Sequence, residues 1–130
     1  MIRPPLWIAI GAIYGGSAVG LGAYAHHGLQ TEPYLMDSFQ TGVTYQMWHA
    51  LALVGVGALT YTDRFATSKL LVAAGAFFAV GVLLFSGTLY VFGLTGNVPI
   101  LGAAPAGGMA MVAGWTCLLI AVLLAWRKNS

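Results

Sequence analysis

Four stretches of the chain are apolar, nearly uncharged and long enough to cross a bilayer, and they dominate what it can fold into. A spanning helix needs about 20 mostly apolar residues, because a helix rises 1.5 Å per residue through a hydrocarbon core about 30 Å thick. Residues 6–25, 40–61, 70–94 and 105–126 meet that length, the second after a polar first turn. Composition points the same way. Apolar residues make up 59% of the 130 and charged residues 6%, against about 25% charged in a soluble domain. So little charged surface cannot keep the chain in water, and lipid is its expected solvent. A net charge of +2 without a basic run gives no footing for nucleic acid.

Turn chemistry separates the runs. Thr31-Glu32-Pro33 interrupts the first link, Thr62-Asp63-Arg64 the second and Thr95-Gly96-Asn97-Val98-Pro99 the third. The first link is the longest. Its Tyr34, Leu35, Met36 and Phe39 alternate with Asp37, Ser38 and Gln40, a mixture that predicts a short interfacial segment between helices 1 and 2, bending into the second span near Gly42. Arg3, the apolar run behind it and Ala23-Tyr24-Ala25 imitate a cleavable signal. The run is long and glycine-rich for one, and a retained helix is expected. The fold class is thus an all-α integral membrane bundle of four antiparallel helices in a single domain.

Basic residues orient such a bundle, since Lys and Arg stay on the cytoplasmic side. Four spans place Arg3, Arg64, Lys69, Arg127 and Lys128, which are all five, on one side, and Glu32 and Asp37 on the other. Both termini are therefore expected in the cytoplasm, with His26 and His27 on the outer face.

In lipid, helices associate through close packing and hydrogen bonds, and small residues let backbones approach. The 18 glycines supply this. Gly11, Gly15 and Gly22 form one stripe of the first span with Ala18 and Ala25. Gly16 and Gly20 lie on a neighbouring stripe; both stripes are expected to pack inside the bundle, with a helix of another chain as the alternative neighbour for one of them. Gly75 and Gly114 lead similar stripes on spans three and four.

Polar side chains at membrane depth are costly, and they are usually paired or functional. His49 lies about 13 Å below the outer boundary by the helical rise. Tyr45 and Gln46 share its face, and Ser86 and Tyr90 reach similar depths on span three. A polar layer of Tyr45, Gln46, His49, Ser86 and Tyr90 is expected, with His49 bonded to Ser86 or Ser17 and locking helix register. Proton handling by His49 is a further reading. Haem would require a second histidine, and His26 and His27 stand too far out, so only a His49 pair across a dimer could serve. Met36, Met47, His26 and His27 are candidate metal ligands in type but match no ligand spacing. The lone Cys117 excludes an internal disulfide and reads as a packing residue. Glu32 and Asp37 read as solvated loop charges. No nucleophile motif, phosphate loop or carboxylate pair is present, and no catalytic, cofactor or metal residue is assigned.

Several blocks carry a family resemblance. They are Gly22-Ala23-Tyr24-Ala25-His26-His27-Gly28-Leu29; Thr41-Gly42-Val43-Thr44-Tyr45-Gln46-Met47-Trp48-His49-Ala50-Leu51-Ala52; Phe85-Ser86-Gly87-Thr88-Leu89-Tyr90; Leu101-Gly102-Ala103-Ala104-Pro105; and Gly114-Trp115. Together they resemble the small membrane family called domain of unknown function 423, which includes YgdD-type bacterial proteins and the animal transmembrane protein 256. The resemblance implies four helices in a bacterial inner membrane and supplies no activity. His27 stands at the motif histidine, and His26 replaces what is usually a small residue. Because the chain has almost no mass outside its spans and its helices are rich in close-packing surface, the expectation is a non-catalytic accessory subunit packed on a larger membrane protein complex. An oligomeric channel- or transporter-like protein using the His49 layer, and a membrane haem or metal protein, are the alternatives.

Overall fold

The computed structural model describes residues 5–127, so Arg3, Lys128 and Ser130 lie outside the described residues. It contains helices α1 (Leu6–His27), α2 (Pro33–Leu59), α3 (Lys69–Thr95) and α4 (Ala103–Arg127), and a 3₁₀ turn at Asp63–Phe65. There is no strand among the described residues. α1, α3 and α4 are each long and apolar enough to cross a membrane. α2 is as long as α3, at 27 residues, but its middle is diluted by Thr41, Thr44, Tyr45, Gln46 and His49. It is not among those three.

The separate interfacial segment is not seen. α2 runs unbroken from Pro33 through Gly42. Proline interrupts a helix interior but is tolerated in the first turn, where its missing N–H has no partner to lose. The hydroxyls that made this stretch look like a link turn back on the helix. Ser38 donates to the Tyr34 carbonyl at 3.1 Å, Thr41 to Asp37 at 2.9 Å and Thr44 to Gln40 at 3.0 Å. The other boundaries follow local chemistry. Ser68 caps α3 by accepting from the Leu71 N–H at 3.1 Å. Gly96, at φ 75°, closes it in the left-handed conformation that a side chain would resist.

Packing follows chain order, with α1 against α2, α2 against α3 and α3 against α4. Contacts pair in reverse order along each couple. Gly57 meets Ile8, Gly11 meets Val54 and Gly22 meets Val43; Gly93 meets Leu35 and Gly42 meets Ser86; Gly114 meets Ala74 and Gly107 meets Phe85. The apolar core is Leu53, Val56, Leu71, Ala74 and Phe78, with Trp7, Ile10 and Cys117 packed against it. It fills the half of the molecule near the Asp63–Phe65 turn.

The glycines expected to mediate packing divide. A Cβ on Gly11 would stand 2.8 Å from the Ala50 carbonyl oxygen; on Gly75, 2.5 Å from the Trp7 indole; on Gly114, 2.7 Å from Phe78. These positions need glycine. Gly15 and Gly22 do not, since their Cβ atoms would make contacts at 3.7 and 3.4 Å. The tightest crossing is one that sequence reading half missed. Gly81 of α3 and Gly107 of α4 face each other, each Cβ site lying 2.8–2.9 Å from the other's carbonyl oxygen.

Candidate functional site

In the other half, α2 carries a belt of hydrogen bonds. Gln46, 5% exposed, is its hub. Its Nε2 donates to the Tyr14 carbonyl and to Ser17 Oγ, both at 2.8 Å, and its Oε1 accepts from the Tyr90 hydroxyl at 2.5 Å. One amide thereby ties α1, α2 and α3 together. Two more bonds reinforce it: Ser86 Oγ donates to the Gly42 carbonyl at 2.7 Å, and the Tyr14 hydroxyl to the Ala79 carbonyl at 2.8 Å. The Ser86 bond requires α2 and α3 to approach closely, which Gly42 permits.

His49 is 4% exposed. It does not bond Ser86 or Ser17, as sequence reading expected; Ser86 is taken by Gly42 and Ser17 by Gln46. Its partner is on α4, where Trp115 Nε1–H donates to His49 Nε2 at 3.0 Å. An indole nitrogen can only donate, so Nε2 must be the unprotonated nitrogen. Nδ1 then carries the proton and donates to the Tyr45 carbonyl at 2.7 Å. Both ring nitrogens are thus committed in a neutral imidazole, and a ligand at Nε2 would have to displace Trp115. Trp115 was visible in the sequence only as part of a family block. Its signal is position: it stands twelve residues from each end of α4 (Ala103 and Arg127), whereas membrane tryptophans gather at the interfaces.

The five residues of the expected layer therefore separate into two groups. Gln46 and Tyr90 join the α1–α2–α3 belt, and Ser86 stands beside them on its own bond to Gly42. His49 bonds to α4, and Tyr45 lies beside it with its ring against Phe85 of α3. Six interhelical side-chain bonds join these groups, at about 0.6 kcal/mol each in a membrane, or about 4 kcal/mol together. No buried polar side-chain atom among the described residues is left without a partner.

Between α2, α3 and α4 lies a groove of about 640 Å³, lined by Tyr45, Trp48, His49, Phe85, Met109 and Trp115 among others. The Tyr45 ring packs at a tilt against Trp48 and Phe85, at centroid distances of 5.0 and 4.9 Å. Trp115 packs edge-on to Phe78 at 4.9 Å. His26 and His27 are exposed at the end of α1, rings edge to face at 4.9 Å. Met36 and Met47 are half-buried on α2. Among the described residues, no three His, Cys, Asp or Glu side chains are grouped to hold a metal ion.

α1 presents a second surface. Ala9, Ala12, Gly16, Gly20 and Ala23 are all exposed, and at 100° per residue they fall within a single narrow arc. A Cβ on Gly16 or Gly20 would meet nothing within 4 Å.

Residues 21–108 match the family described as protein of unknown function DUF423. A membrane protein of Bacillus subtilis named UPF0382 membrane protein YwdK is 38% identical over 122 residues, covering 91% of this chain and 96% of its own length. A UPF0382 membrane protein of Staphylococcus haemolyticus is 40% identical over 119 residues, 88% of this chain and 93% of its own. One from Schizosaccharomyces pombe is 38% identical over 120 residues, 85% and 96%. No solved structure matches the chain significantly.

Proposed function

The chain belongs to the DUF423 family of membrane proteins, and on that premise we propose that it is a four-span, non-catalytic accessory subunit packed on a larger protein complex of the bacterial inner membrane. The observation that carries this reading is the Ala9–Ala12–Gly16–Gly20–Ala23 stripe. Helices in lipid associate through such faces. Glycine in a helix costs about 1 kcal/mol relative to alanine, a cost that Gly11 and Gly75 recover as close packing inside the chain. Gly16 and Gly20 recover nothing there. A helix of another protein seated on the stripe would supply the missing contact. The interior supports the non-catalytic part of the proposal: its polar groups are spent on one another, and His49 has no nitrogen left for a reaction.

In this reading α2 is the fourth span. Its low hydropathy comes in part from Gln46 and His49, which face inward and are paired, while the exposed Thr41 and Thr44 return their hydroxyls to carbonyls of their own helix. The reversed order of contacts along each helix pair supports an antiparallel bundle. Charge supports both termini in the cytoplasm. Arg64 and Lys69 line a pocket with Leu124 and Ala125 at the end of α4, at the opposite end of α2 from Glu32 and Asp37.

The test is solubilisation in mild detergent, native separation and mass spectrometry of what co-migrates. The protein should run far above its 13.6 kDa together with a second membrane protein cross-linked through Gly16 or Gly20 replaced by cysteine. Migration as a single chain would remove the proposal. Cross-links only between copies of this chain would replace it with a homo-oligomer.

A further inference from the structure

We infer that the groove between α2, α3 and α4 binds a lipid-soluble ligand carrying a flat, carbonyl-bearing ring, of the quinone class. The inference does not depend on the accessory-subunit reading, since no residue of α1 lines this groove.

Access sets the first property of the ligand. Trp48, Met109, Val112 and Trp115 are themselves exposed, so the groove opens sideways from the bundle. In a membrane protein that direction is the hydrocarbon, and anything entering must already be dissolved there. Size sets the second. About 640 Å³ falls inside the range of roughly 300–1,000 Å³ typical of small-molecule pockets, and the open side would let a tail remain in the bilayer.

The walls set the third. Tyr45 lies twelve residues from Pro33 and fourteen from Leu59, and Trp115 lies at the middle of α4, about 18 Å of helix from either end. Aromatic residues with polar edges belong at membrane interfaces, where those edges reach water. Here Tyr45, Trp48 and Trp115 stand at mid-depth around one groove. An acyl chain gains nothing special from such walls, but a flat ring stacks on them. Met109 and Met111 add unbranched side chains that adapt to the shape of a ligand.

The polar handle sets the fourth. The His49–Trp115 bond uses the donors and acceptors of both partners. Among the described residues the Tyr45 hydroxyl has no hydrogen-bond partner. A phenol donates well to a carbonyl oxygen, and the remaining groove surface is apolar. The chemistry is therefore stacking plus one donated hydrogen bond, which a ring ketone satisfies and a hydrocarbon does not. His49 is a positioning residue: its lone pair holds the Trp115 indole in the wall.

The experiment uses the full chain in lipid nanodiscs, with decylubiquinone as probe and decan-1-ol as the ringless comparator. Binding is read by native mass spectrometry and by quenching of tryptophan fluorescence. Decylubiquinone should bind saturably at one molecule per chain, and decan-1-ol should not displace it. Tyr45→Phe should weaken binding roughly fivefold, the loss of one hydrogen bond. Met109→Trp should abolish it by filling the groove. Met109 is 74% exposed, so that variant should fold, as circular dichroism would verify. Non-saturable quenching, equal competition by decan-1-ol, or unchanged binding in both variants would overturn the assignment.

Discussion

The Gly81–Gly107 crossing gives the sharpest quantitative expectation. A Cβ added at Gly107 would stand 2.5 Å from the Phe85 nitrogen, 2.8 Å from the Gly81 oxygen and 2.9 Å from Leu84 Cβ. Non-bonded heavy atoms settle near 3.5 Å, so α3 and α4 must part locally by about 1 Å. Two of the three obstacles are backbone and cannot rotate aside. Overpacking of this kind costs about 1–3 kcal/mol, while replacing glycine by alanine returns about 1 kcal/mol of helix propensity. Gly107→Ala should therefore lose about 1 kcal/mol net, and at most about 2. Gly16→Ala is the matched control: it meets nothing within 4 Å and should keep the propensity gain. The two variants, identical in chemistry, should differ by about 2 kcal/mol, roughly thirtyfold in the folded ratio. The assay is equilibrium unfolding in mixed dodecyl maltoside and SDS micelles, followed by far-ultraviolet circular dichroism. If Gly107→Ala unfolds at the same SDS fraction as Gly16→Ala, the close α3–α4 crossing is wrong.

Three further expectations follow from the same geometry. Gln46→Leu removes three interhelical bonds and should cost about 2 kcal/mol, against about 0.6 and at most about 1.7 for His49→Leu, which removes one; the same unfolding assay ranks them, and the reverse order would displace Gln46 as hub. Gly16→Leu should keep most of the same propensity gain, just under about 1 kcal/mol, in the isolated chain yet release it from its heavy native complex; retention in that complex would clear the stripe of any role. Reporter fusions after Ser130 should report cytoplasm and those within residues 32–37 the exterior, while an outward C-terminus would refute the four-span reading.

Much of this fold is legible in the sequence because lipid leaves the chain few choices. α1, α3 and α4 appear as apolar runs ending in turn residues, within two residues of their observed bounds. The start of α2 is not legible, because Pro33, Asp37, Ser38 and Thr41 carry the composition of a link. Only the structure reveals that the proline sits in the first turn and that the hydroxyls bond back to their own helix. Glycine stripes show in the sequence as candidates, but which glycine meets a backbone depends on crossing geometry, and Gly11 and Gly15 are indistinguishable before the helices are packed. The inward face of α2 can be read from the spacing of Gln46 and His49. The partner of His49 cannot, since depth matching favours Ser86 equally, and nothing local says that Ser86 prefers the Gly42 carbonyl.

The helix least marked by hydropathy is also the one on which the others depend. Alone in a bilayer, α2 would expose Gln46 and His49 to hydrocarbon, where each unsatisfied polar group is expensive. Packed, the same two side chains bond to groups on all three neighbours: Tyr14 and Ser17 of α1, Tyr90 of α3 and Trp115 of α4. The polarity that weakens α2 as an independent span thus penalises every arrangement in which one of those neighbours is missing. Apolar packing alone cannot do this, because lipid tails compete with leucine on nearly equal terms. The His49–Trp115 bond extends the same logic to the groove. It fixes an indole in the wall of a lateral opening, where a freely rotating tryptophan would fill the space itself.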